Sequence, residues 1–292
     1  MKYSSISKII LEGREFFIKR DDLIDPYLAG NKYRKLYTLL QTPSTTYDTI
    51  VSYGGTQSNA MVAIAAMTQK KGWHFSYYTK QLSHRQRKEL SGNFANALAL
   101  GMEHIELDDA LYRDYIASLR LTANEKTFVI DQGGAISEAR VGLEVLAQEI
   151  KAQKKSGEIE DDIYSLATPS GTGTTALFLA LALPEYKIYT TPCIGDVAYL
   201  KEQMKALAPL PDNLIILPPK KKYHFAKPYK EFLAIYKKLL SSGIEFDLLY
   251  APAMFEALLE QTDEKILYIH SGGVSGNGSM LVRYAQKGWN IR

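Results

Sequence analysis

Short apolar runs alternate with longer helical patterns along the chain, and this alternation restricts the fold more than any other feature. Residues 16–19, 49–53, 75–78, 105–107 and 128–130 read as strands, as do 163–167, 187–191, 214–217, 247–250 and 266–270. Helical patterns cover 32–40, 58–70 (rich in alanine), 87–100, 110–121 and 138–154, then 174–183, 197–207, 229–240, 254–260 and 279–287. Strand and helix in alternation imply an α/β protein with mainly parallel sheets. A length of 292 residues suits one large or two modest domains with real cores. The stretch 151–162, polar and charged with one glycine, is the best linker candidate. The sequence has no internal repeat and no low-complexity tract.

Composition mainly excludes. Apolar content of 46% and charged content of 23% are ordinary for a soluble globular protein. A net charge of +3 is too small to argue for nucleic acid, and Lys220-Lys221-Lys222 reads as a solvated loop. The single cysteine, Cys193, rules out an internal disulfide and reads as a small buried apolar residue in a reducing compartment. No apolar run approaches the ~20 residues of a membrane span, and the start lacks a signal peptide's order. The expectation is a soluble cytoplasmic protein with no nucleic-acid partner, no membrane partner and no metal site.

In α/β sheets, ligands bind where glycine-rich loops leave the carboxyl ends of strands. In Gly30-Asn31-Lys32-Tyr33-Arg34-Lys35 the glycine opens a turn and Asn31 can cap the helix that follows. Lys32 then sits in the first helical turn, where the positive dipole end disfavours its proton and makes the amine more nucleophilic. Lys35 shares its face and offers a second cation; the bland alternative is a solvated basic helix start. Gly54-Gly55-Thr56-Gln57-Ser58-Asn59 follows a strand and opens a helix, with short hydrogen-bonding side chains that could equally serve as caps. Gly133-Gly134 has the same placement. Pro169-Ser170-Gly171-Thr172-Gly173-Thr174-Thr175 is the most specific of these loops: successive N–H groups of small residues at a helix start form an anion nest. It matches neither a Walker loop nor Gly-x-Gly-x-x-Gly. His270-Ser271-Gly272-Gly273 ends the last strand.

A reactive lysine, an anion nest and an asparagine at a loop's end suit pyridoxal phosphate, which has an aldehyde, a phosphate and a phenolic oxygen. A nucleotide would explain the nest but leave Lys32 and Asn59 without a role. The segments resemble the 1-aminocyclopropane-1-carboxylate deaminase/D-cysteine desulfhydrase family, pyridoxal-phosphate enzymes of the tryptophan-synthase-β fold (fold type II). Lys19-Arg20-Asp21-Asp22-Leu23 followed by Gly30 to Leu36 is similar to the family's opening signature. Gly54 to Asn59, Gly133-Gly134 and Ser170 to Thr175 are similar to its later ones, in chain order from about Phe17 to Gly273.

The resemblance implies a two-domain α/β fold with mainly parallel twisted sheets flanked by helices. The larger domain would be 1–35 plus 146–292, with 36–145 a smaller inserted domain, and the protein would be a homodimer. Lys32 would bond the cofactor's aldehyde and shuttle the substrate's proton. Lys35, Gly171, Thr172, Gly173 and Thr174 would hold the phosphate, and Asn59 the ring's 3-oxygen. Gln57, Ser58 and Asn59 would receive the substrate carboxylate, and Tyr250 is a candidate proton donor or stacking group. The reaction implied is deamination of a small amino acid, by D-cysteine-type β-elimination or ring opening, to a 2-oxo acid and ammonia. The chain departs from the family after that tyrosine: Ala251, followed by Pro252, stands where glutamate or threonine faces the pyridine nitrogen. A cofactor-binding protein without turnover is the alternative that this departure and the apolar Ala60-Met61-Val62 motivate, and a nucleotide-binding module is the third.

Overall fold

In the computed structural model, residues 3–28, 30–88 and 92–289 are described. The first two strands, β1 (Ile6–Leu11) and β2 (Arg14–Lys19), pair as an antiparallel hairpin. Its turn residues Glu12 and Gly13 have φ of 53° and 74°, the left-handed pair that suits a two-residue hairpin. β1 was not among the expected strands, because Ser7 and Lys8 interrupt its apolar run.

The helix expected over 32–40 is two short helices, α1 (Asn31–Lys35) and α2 (Tyr37–Gln41). The chain bends between them at Leu36 (φ −90°, ψ 5°), whose side chain is buried. There follow β3 (Thr49–Tyr53), α3 (Asn59–Lys71), β4 (His74–Lys80), α4 (His84–Lys88), α5 (Gly92–Ala99), β5 (Met102–Leu107), α6 (Asp109–Thr122) and β6 (Thr127–Ile130). The helix expected over 87–100 thus corresponds to the end of α4 and to α5; residues 89–91 lie outside the described ones. The remainder is α7 (Ala139–Lys155), β7 (Ser165–Ala167), α8 (Thr174–Ala182), β8 (Lys187–Thr190), α9 (Val197–Lys205), β9 (Leu214–Ile216), α10 (Lys230–Leu240), α11 (Ala251–Gln261), β10 (Ile266–Ile269) and α12 (Asn277–Ala285).

Two expectations are corrected. Residues 247–250 form no strand, because side chains take the N–H groups a ladder would need. Asp247 accepts from Leu249 and Tyr250, and Asn277 accepts from Leu248. The supposed linker 151–162 is part of the body: α7 runs to Lys155, and Ile159 beyond it is fully buried.

The strands form a six-stranded sheet, ordered β1-β2-β10-β7-β8-β9, and a four-stranded sheet, ordered β5-β4-β3-β6. Every pairing except β1 with β2 is parallel. Parallel strands are covered on both faces, which is why β7 and β10 are buried at every residue. One apolar cluster joins the two sheets, running from Ile50 and Ile130 through α3, α7 and α8 to Leu166 and Leu267. Among the described residues no helix is long and apolar enough to cross a membrane.

Candidate active site

Five loops leave the carboxyl ends of parallel strands β2, β3, β6, β7 and β10, and they meet one another. Gly30 (φ 59°) occupies the cap position of α1, so the expectation that Asn31 caps this helix is corrected: Asn31 is its first residue. A Cβ on Gly30 would stand 2.0 Å from the Ser271 carbonyl, so only glycine lets the loop after β10 pass this close. Lys32 follows, and among the described residues its amine has no carboxylate or other hydrogen-bond partner. Its pKa is pulled down to about 8 by burial. Lys35 is buried and donates to the Gly133 carbonyl at 3.1 Å. Burial and the neighbouring Lys32 charge hold Lys35 well below the usual lysine range.

The next loop in contact is the anion nest. A Cβ on Gly133 would lie 3.2 Å from the Thr172 methyl, which puts Lys35, Gly133 and the nest within reach of one another. The N–H groups of residues 171–175 find no acceptor among the described residues. Thr172 and Thr174 hydroxyls stand 3.0 Å apart. Thr175 Oγ1, at the same helix start, is buried without a partner. Ser170 is pinned from behind by Thr190 Oγ1 at 2.6 Å and by backbone bonds to Thr191 and Cys193. Unused donors at a helix start beside a buried lysine are the surroundings a phosphate monoester requires.

On the opposite side lies Asn59, the first residue of α3. Ser58 caps this helix, accepting from the Met61 N–H at 3.3 Å, so it already does what the bland reading assigned to it. Gln57 turns its side-chain oxygen to the start of α5, where it accepts from the Asn93 N–H at 3.3 Å. Asn59 Oδ1 accepts from Asn93 Nδ2 at 2.7 Å, and a Cβ on Gly273 would lie 2.7 Å from Asn59 Nδ2. Asn93 is a site residue that the sequence reading missed; beside Gly92 it reads only as part of a turn.

Tyr250 closes the ring of loops. Its hydroxyl stands 3.7 Å from where a Cβ on Gly171 would be, and its ring packs against Phe225 with centroids 5.3 Å apart. Burial raises its pKa, so it stays a neutral hydroxyl. Ala251 is fully buried and offers no polar atom beyond its backbone. Asp247 receives the Tyr250 N–H at 2.6 Å, and burial pushes its carboxyl up to about 6. His270 is structural: its ring stacks on Phe246, reaches the Glu245 carbonyl at 2.8 Å through Nε2 and accepts the Gly272 N–H through Nδ1. Cys193 is buried with its thiol pKa raised, as expected of an inert core cysteine. Among the described residues an amine without a partner, a nest of unused donors and an outward amide are therefore brought together, and Ala251 adds no polar side chain to them.

No family model matches the chain. A D-cysteine desulfhydrase of Klebsiella pneumoniae is 28% identical over 289 residues, spanning 89% of this chain and 87% of the relative. A Pyrococcus horikoshii protein provisionally named 1-aminocyclopropane-1-carboxylate deaminase is 29% identical over 292 residues, spanning 90% and 86%. The solved structure of an ACC deaminase homologue superposes with a TM-score of 0.77 at 24% identity, over 97% of this chain and 94% of the other. An L-serine ammonia-lyase from the fungus Rhizomucor miehei superposes with a TM-score of 0.65 at 13% identity, over 98% of each chain. The fold is thus the tryptophan-synthase-β-like, fold type II architecture.

Proposed function

We propose that this chain, related over about nine-tenths of its length to D-cysteine desulfhydrases and 1-aminocyclopropane-1-carboxylate deaminases, binds pyridoxal 5'-phosphate and deaminates a small amino acid. The observation that carries this reading is Lys32, a half-buried amine with its pKa drawn to about 8 and no carboxylate to neutralise it. When bound, the cofactor supplies an aldehyde and a conjugated ring that draws electrons from the substrate's α-carbon. The nest Gly171, Thr172, Gly173 and Thr174, with Lys35, holds the phosphate, and Asn59 meets the phenolic oxygen. Lys32 takes and returns the α-proton, since near pH 8 its amine is close to half unprotonated. Ser58, Gln57 and Asn59 receive the substrate carboxylate, and Tyr250, kept neutral by burial, donates a proton.

Ala251 bears on the choice of reaction. Ala251 would give the ring nitrogen no side-chain partner, which would favour β-elimination from a D-cysteine-like substrate over cyclopropane ring opening. The same residue favours the second reading, cofactor binding without turnover. In this proposal 36–145 is the smaller domain, 1–35 with 146–292 the larger, and the working form is a homodimer. Purified protein mixed with pyridoxal phosphate should gain a visible band that borohydride abolishes, leaving the cofactor's mass on the peptide carrying Lys32. It should release pyruvate from D-cysteine or 2-oxobutyrate from the cyclopropane amino acid. A colourless protein with no labelled peptide sinks the whole reading; a labelled protein inert towards small D- and L-amino acids selects the second one.

A further inference from the structure

We infer that Asn93 is a positioning residue that fixes the amide of Asn59 with its N–H groups turned outwards as donors. Asn93 is fully buried at the start of α5. Its Nδ2 donates to two oxygens, the Gln57 backbone carbonyl at 3.0 Å and Asn59 Oδ1 at 2.7 Å. The carbonyl can only accept, so the nitrogen side of Asn93 must face it. That choice forces Asn59 to present its oxygen to Asn93, and both amides are thereby oriented without ambiguity. Ser275 Oγ completes the chain by donating to Asn93 Oδ1 at 2.9 Å. Asn59 Nδ2 is left with its hydrogens unused among the described residues. Only an acceptor can satisfy it.

The order of donation therefore runs Ser275, Asn93, Asn59 and then the ligand, each bond polarising the next in a partly buried setting. Ser275 lies between β10 and α12 of the six-stranded half, whereas Asn93 and Asn59 sit on helices beside the four-stranded sheet. The relay crosses from one half to the other, so it also registers the two halves at the point where the ligand oxygen binds. This inference rests on the proposed cofactor, whose phenolic oxygen would be the acceptor, kept as an anion by the Asn59 N–H.

Asn93→Asp tests it most sharply. A carboxylate cannot donate to Asn59, so the Asn59 amide reverses and shows its oxygen to the ligand. The phenolic oxygen then keeps its proton, and the bound cofactor's absorption moves from the visible towards the near ultraviolet. Cofactor affinity should fall about ten- to a hundredfold, the effect of losing a hydrogen bond to a charged group. Ser275→Ala, an exposed change that should not disturb folding, should move both readouts the same way by less. Asn93→Ala added to Asn59→Ala should have almost no further effect, because the first residue acts through the second. Melting of each cofactor-free variant separates these shifts from loss of fold. If the wild type is coloured but Asn93→Asp and Ser275→Ala keep its band and affinity, or if the Asn93 effect survives in full without Asn59, the inference is overturned. A colourless wild type overturns the proposed function itself and this inference with it.

Discussion

Lys19 is fully buried and Lys32 half-buried, and they sit in opposite electrostatic settings. Lys19 ends β2 with no exposure, and its three hydrogens go to the Ser4 carbonyl (2.6 Å), Glu149 Oε1 (2.5 Å) and Gln153 Oε1 (2.6 Å). Arg34, on the same short helix as Lys32, forks onto Asp21 at 2.8 and 3.0 Å and pairs with Glu149 Oε2 at 2.8 Å. Two cations and two carboxylates cancel inside the protein. Lys32, two positions before Arg34, has nothing of the kind. A helix of five residues is too short to hold itself together. The paired cluster, with Gly142 of α7 leaving room for the Arg34 carbonyl, docks α1 in one orientation. The cancelled charges set geometry; the uncancelled amine is left for chemistry.

Substituting each lysine by methionine should separate the two roles. The largest effect expected is on turnover in Lys32→Met, a loss of at least about a hundredfold because the proton-carrying group is gone. Its thermal stability should stay level or rise, since a half-buried amine without a partner is removed. Lys19→Met should do the reverse. It leaves Glu149 facing one cation where it had two, and removing one partner from a buried pair costs about 3–5 kcal/mol. Denaturant unfolding of both variants measures this; a Lys19→Met protein as stable as Lys32→Met would show that the buried cluster does not hold α1 in place.

The contrast between the two lysines also marks how far the sequence could be read. Alternating patterns disclosed the parallel sheets, because burial on both faces writes itself as continuous apolar runs. The loops around Lys32 and Gly171–Thr174 could be located because glycines and small hydroxyl residues gather at strand ends, but the same residues also build turns and caps, so their chemistry was not written there. Glu149 and Gln153 lie on one stripe of α7 with Gly142 and Leu146, so periodicity alone places them inside. What it could not supply was their partners, since Lys19 and Ser4 are distant in the chain and meet Glu149 only through the sheet. Asn93 was invisible in the same way, its importance lying in the Gln57 carbonyl it faces. The strand expected at 247–250 failed because Asp247 and Asn277 compete for backbone donors, and apolar periodicity carries no record of that competition.

The smallest effect expected is a pH dependence peculiar to Lys32. Burial lowers its pKa from 10.5 to about 8, so the folded chain gives up this proton before the unfolded chain does. Below pH 8 both states carry the proton, and the folded state bears the cost of a half-buried charge without a partner. Between pH 8 and 10.5 only the unfolded state binds it, so this group's contribution to stability improves as pH rises through that window. The difference in unfolding free energy between Lys32→Met and wild type should therefore be largest at pH 8 and below and shrink towards pH 10.5. Labelling of the cofactor-free protein by a small aldehyde should follow the same group, its rate at Lys32 levelling off above about pH 8 while exposed lysines continue to gain. Lys19, with every hydrogen engaged, should remain unlabelled throughout. A Lys32 labelling curve that tracks the surface lysines would mean that its amine is solvated, and the distinction between Lys19 and Lys32 would lose its physical basis.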